Sequence, residues 1–112
     1  MTDKVYSTSS VVCQHFAQHG TVEMTLLESG VIMYKATGPF NVETLQAIEK
    51  LHNNEVFIEL RKHHQQWSEV IEFDVSCLFT SDAIEELGRY ITFNRQQRVP
   101  LKGVAFVIPK EM

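Results

Sequence analysis

Along Thr21-Val-Glu-Met-Thr-Leu-Leu-Glu28, the apolar Val22, Met24 and Leu26 alternate with Glu23 and Thr25, the period of a strand buried on one face. Glu28-Ser-Gly30 supplies a turn in which Gly30 can adopt positive φ, and Val31–Thr37 follows as a second strand. An antiparallel hairpin is the expected opening of the fold. The period changes after Gly38-Pro-Phe-Asn-Val-Glu43, where Val42, Leu45, Ile48 and Leu51 recur at threes and predict a helix. Asn41 is a good N-cap type with Thr44 at its N3 position, and Glu43 lies in the first turn, where the helix dipole favours negative charge. The helix is expected to run to about Gln66, because no proline or glycine interrupts residues 41–66. Val56-Phe-Ile-Glu-Leu60 also has strand-like density, so residues 55–66 admit both readings.

Val70-Ile-Glu-Phe-Asp-Val75 has the density of a strand covered on both faces, as in parallel sheets. The stretch that follows, DVSCLFTSDAIEELGRY over residues 74–90, reads as a strand end, a turn and a helix with Ile84, Leu87 and Ile91 on its apolar face. Pro100 and Gly103 bracket a connection into Gly103–Ile108, a second continuous apolar strand. The predicted order is β-β-α-β-α-β in one domain spanning 1–112. Residues 1–20 are unassigned, and the polar residues 1–10 are expected to be loosely ordered. The fold class is α/β, with a mixed sheet opened by the hairpin, right-handed crossovers and helices packed mainly on one face.

Composition narrows the function more than the fold. At 112 residues, 44% hydrophobic and 21% charged, the chain can bury one core and is not of the disordered class. A formal charge of −4 argues against a nucleic-acid partner, and the basic run Arg61-Lys-His-His64 reads as a solvated helix end. No apolar run approaches the ~20 residues that span a bilayer, and the N-terminus lacks the pattern of a signal peptide. No membrane insertion is therefore expected. Cys13 and Cys77 lie too far apart for a metal knuckle, and a reduced, cytoplasmic location is the default.

Candidate chemistry is sparse. Thr80, Ser81 and Asp82 are all N-cap types, and Asp82 with Glu85 has capping-box spacing. The same turn could receive a phosphate, since free N–H groups and the helix dipole favour an anion, although Asp82 adds like charge. The cap is the favoured reading. Cys13, His15 and His19 could share a helical face but lack a nameable further ligand, and the adjacent His63 and His64 point about 100° apart on a helix. No metal or cofactor is expected. With no G-x-S-x-G elbow and no glycine-rich phosphate loop, the chain is not expected to be an enzyme.

Three places resemble the STAS domain, the module of sulfate transporters and anti-sigma-factor antagonists. Ala36-Thr-Gly-Pro-Phe-Asn-Val-Glu43 resembles its strand-to-helix turn, and Phe73-Asp-Val-Ser76 is similar to the strand end before its conserved loop. Thr80-Ser-Asp82 with Leu87-Gly-Arg-Tyr90 resembles that loop and the following helix. With Leu87–Tyr90 as anchor, Ser81 falls at the family's phosphorylatable hydroxyl, while Phe79 and Asp82 stand where the family has aspartate and glycine. The resemblance, over roughly 21–108, implies a divergent bacterial member: a regulatory module in signalling that acts through a protein partner.

Phe40, Asn41 and Phe79 are candidates for a ligand or interface surface. A homodimer is expected, because the apolar 103–108 strand is followed only by Pro109-Lys-Glu-Met112, without the helix that usually covers it. The alternative function is a carrier or sensor of a small apolar or lipid-like ligand. Met24, Met33, Phe40, Phe57, Trp67, Phe73 and Phe79 exceed what a minimal core needs, unless they pack the core or a dimer seam.

Overall fold

A computed structural model of the chain describes residues 2–12, 17–93 and 101–108. The strands are β1 (Lys4–Ser7), β2 (Thr21–Leu26), β3 (Val31–Thr37), β4 (Trp67–Phe73) and β5 (Leu101–Val107). The helices are α1 (Val42–Leu51), α2 (Phe57–His63) and α3 (Ser81–Phe93), with a π segment at His52–Val56 joining α1 to α2. The five strands form one mixed sheet in sequence order, antiparallel from β1 to β3 and parallel from β3 to β5.

The expected hairpin is present, with Leu26 opposite Ile32. Its turn closes through the Gly30 N–H on the Leu27 carbonyl at 3.0 Å, with Gly30 at φ 86°, a conformation side chains disfavour. Alternation then decides which face is covered. Val22, Met24 and Leu26 on β2, Ile32, Tyr34 and Ala36 on β3, and Trp67 and Glu69 on β4 are buried. Glu23, Met33, Lys35 and Glu72 point to the open face. Leu45, Leu51, Phe57, Leu60 and Ala83 from the helices join the same core. Residues 55–66 are helical as far as His63, which resolves the ambiguity in favour of helix. The α1 stripe at Leu45, Ile48 and Leu51 continues into Val56 and Phe57, so burial outweighs β-branched density there.

Three expectations are corrected. Within the segment expected to be loosely ordered, the described residues 2–10 include a strand: β1 pairs with β2, Thr8 is buried, and its hydroxyl accepts the Val22 N–H at 2.9 Å. Backbone pairing holds this edge strand, so its exposed Lys4 and Val5 show no apolar period. β4 begins at Trp67 rather than Val70 and is covered on one face only. Among the described side chains, α3 buries Ala83 and Tyr90 and, as expected, partly covers Leu87, whereas Ile84 is 57% exposed; the side chain of Ile91 lies outside those described. Every described side chain of β5 is exposed, because no element covers either face of that strand among the described residues. No described helix is long and apolar enough to cross a membrane.

Candidate functional site

The two strand-to-helix turns that the sequence singles out lie side by side. Phe40 and Phe79 form a parallel bridge in which the Phe40 N–H donates to the Leu78 carbonyl at 2.7 Å and the Thr80 N–H to the Phe40 carbonyl at 3.2 Å. Their rings sit 5.1 Å apart. Beside the bridge, the Gly38 N–H donates to the Ser76 hydroxyl at 3.1 Å, and Ser76 contacts Asp74. The Ser76 hydroxyl bond is the largest of the influences that hold the Asp74 carboxyl below its ordinary range. The turns approach so closely that a Cβ on Gly38 would stand 2.3 Å from the Ser76 carbonyl oxygen. Only glycine fits there.

Each turn then starts a helix. Asn41 caps α1 by accepting the Thr44 N–H at 3.1 Å, completing a capping box with Thr44. Its amide also donates to the Ala17 carbonyl at 3.0 Å and accepts from the His19 N–H at 3.0 Å. The Asn41 side chain thus ties the N-terminal segment to α1. On α3 the cap is Thr80, whose hydroxyl accepts the Ala83 N–H at 3.3 Å and contacts Asp82. Ser81 is the first helical residue and is exposed, and Asp82 is the second. The expected Asp82–Glu85 box does not form around this cap, because the N3 position belongs to Ala83.

Beneath the bridge, a cavity of about 330 Å³ lies between the sheet, α1 and α3. Val22, Tyr34, Ala36, Glu69, Ile71 and Phe73 line it from the sheet, and Leu45, Ile48, His52, Leu87 and Tyr90 from the helical side. Phe40 and Phe79 close one end, while Val104 and Phe106 of β5 form the rim. Phe106 is 60% exposed and Val104 42%, so the space opens toward β5. Most of the lining is apolar, and its polar groups gather at His52. The Tyr34 hydroxyl is 2.9 Å from His52 Nε2, and the Tyr90 hydroxyl contacts Nδ1. A neutral imidazole donates through one nitrogen and accepts through the other, so the two hydroxyls meet His52 in opposite senses. Buried Glu69 adds a carboxyl to the wall. The lining includes no Ser, Thr or Cys nucleophile. It is suited to holding a molecule by shape and hydrogen bonds.

Of the residues named from sequence, Phe40 and Phe79 reach this cavity, Asn41 and Thr80 are caps, and Ser81 and Asp82 face outward. Cys13 and His15 lie outside the described residues, and no cluster of three or more potential metal ligands occurs among those described. His63 pairs with Glu59 at 3.4 Å. Tyr34, His52, Glu69 and Tyr90 were not foreseen. A pattern for them exists: Tyr34 shares the inward phase of Ile32 and Ala36, and His52 lies seven residues after Leu45 on the α1 stripe.

Where α1 meets α3, Glu49 faces Glu86. Burial, and then the hydrogen bond and repulsion from Glu86, push the Glu49 carboxyl up to about 8, against the opposing Arg89. Arg89 binds Glu86 at 2.8 Å.

No protein-family model, curated protein or solved structure matches this chain.

Proposed function

We propose that the chain is a non-enzymatic, STAS-like regulatory module of bacterial signalling that works through protein contact, and that its first partner is a second copy of itself across β5. The observation that carries this reading is the exposure of Leu101, Val104, Phe106, Val107 and Ile108 along one edge strand. An uncovered apolar strand at a sheet edge offers both apolar area and backbone hydrogen-bonding groups to another chain. Residues 103–108 carry no charge, so two such strands can meet about a twofold axis without repulsion despite the net −4. The bridged turns support the regulatory part. Ser81 is exposed in the first turn of α3, and Val75, Leu78 and Ile84 expose apolar side chains in the same segment. That combination suits a partner-binding surface whose hydroxyl can be modified.

Sedimentation velocity at micromolar concentration tests the self-association. The wild type is expected to sediment as a dimer and Phe106→Lys as a folded monomer. A wild-type monomer whose sedimentation Phe106→Lys leaves unchanged refutes the β5 interface. The cavity favours a second reading, a carrier or sensor of a small apolar molecule.

A further inference from the structure

We infer that the cavity between the sheet, α1 and α3 binds a neutral, largely aromatic molecule of roughly a dozen heavy atoms, whose one hydrogen-bonding group meets the Tyr34–His52–Tyr90 cluster. The inference rests on the carrier reading and goes further by naming the ligand's class.

Size sets the first limit. A space of about 330 Å³ is at the small end of ligand sites, and close packing at a density of about 0.74 fills it with a molecule far smaller than a membrane lipid. Shape sets the second. Phe40, Phe73, Phe79 and Phe106 offer ring surfaces, and a flat aromatic body packs against such surfaces better than a flexible chain, which loses rotamer freedom on binding.

Polarity sets the third. The polar groups of the lining converge on His52, so a ligand with one hydroxyl, phenol or amide finds its donors and acceptors at one wall and apolar contact elsewhere. Glu69 works against an anionic ligand. An anionic ligand would bring a second carboxylate into the same largely apolar space, which its neutral counterpart does not. The backbone gives an independent pointer. α1 passes into α2 through a π segment beginning at His52, where the Phe57 N–H bonds to the His52 carbonyl. Such segments are rare and recur at functional sites. Here the segment begins at the residue on which the polar cluster is built.

The probes are naphthol and naphthoate, of similar size but neutral and anionic respectively at neutral pH, followed by calorimetry and by methyl resonances of the intact protein. Naphthol is expected to bind saturably and to shift Ile48, Leu87 and Val104. Naphthoate should bind at least about tenfold more weakly, the equivalent of one hydrogen bond or more. Tyr90→Phe should weaken naphthol by about tenfold. Leu87→Trp, which fills the space, should abolish binding while the spectrum stays dispersed. If Leu87→Trp does not fold, Tyr90→Phe and the location of the shifts decide. Equal binding of naphthoate and naphthol overturns the ligand class while leaving the carrier reading intact. Absence of saturable binding in the folded wild type, or shifts confined to residues outside the cavity, overturns both.

Discussion

The two sides of the sheet are built from similarly apolar strands and end in opposite states. On β2 and β3 the inward side chains Met24, Leu26 and Ile32 are fully buried beneath helical residues such as Leu51, Val56 and Phe57. On β5, which is as apolar by composition, every described side chain is exposed, and between β5 and α3 the sheet and helices part to leave a cavity. The continuous helical path through α1 and α2 lays its apolar stripe along one side of the sheet. Among the described side chains, α3 covers the other side with Ala83, Leu87 and Tyr90. Hydrophobic content therefore shows that a segment favours burial, whereas the number of helical turns laid over it determines whether it obtains burial within the chain.

The largest expected effect contrasts the two sides directly. Phe57 is fully buried, 5.3 Å from Trp67 by ring centroids, so Phe57→Ala should cost about 3–5 kcal/mol. Phe106→Ala, at an exposed site, should lower monomer stability by less than about 1 kcal/mol. Urea denaturation of both variants at a concentration that keeps the chain monomeric checks the contrast. Equal losses would mean that β5 is covered in solution within the monomer.

A smaller effect separates the adjacent hydroxyls of the α3 turn. Thr80→Ala removes the acceptor of the Ala83 N–H and should cost about 1 kcal/mol. Ser81→Ala should stay within about 0.5 kcal/mol of wild type, since Ser81 is an exposed first-turn residue. Thermal unfolding of the two variants resolves them, and a reversed order would move the cap to Ser81.

A pH-dependent effect lies where α1 meets α3. Glu49 holds its proton up to about 8 in the folded chain, whereas the unfolded chain releases it near the ordinary carboxylate value of 4.5. Between those values the native state binds the extra proton, so stability falls as pH rises. The protonated Glu49–Glu86 contact is complete below the unfolded value and lost as pH rises through about 8. Unfolding midpoints from pH 5 to 9 should decline in the wild type, and Glu49→Gln should flatten that part of the slope.

Some of the fold and little of the site were legible in the residues. Alternation at Val22, Met24 and Leu26 marked β2, and the threes from Val42 to Leu51 marked α1, because in both cases neighbouring side chains alone set the period. β1 was invisible because its contribution is backbone pairing with β2, to which side-chain hydrophobicity is blind. Phe40 and Phe79 stand in the sequence as candidates for a ligand or interface surface, but nothing local places their rings 5.1 Å from each other.

The sequence by itself determined the order of strands and helices from β2 onward, the positive-φ turn at Gly30, the cap at Asn41 and a surplus of aromatic residues. Each is a property of residues within a few positions of one another, governed by dihedral preference, local hydrogen bonding or periodicity. Only the tertiary structure decided that every described side chain of β5 is exposed, and that Phe40, Phe73 and Phe79 border a cavity while Phe57 and Trp67 pack the core. It alone brought Tyr34 and Tyr90 onto the two nitrogens of His52, 18 and 38 residues away along the chain. These outcomes depend on how rigid helices of particular length sit on a twisted sheet. Close packing can fill that space or leave it open, and no short window of residues specifies which.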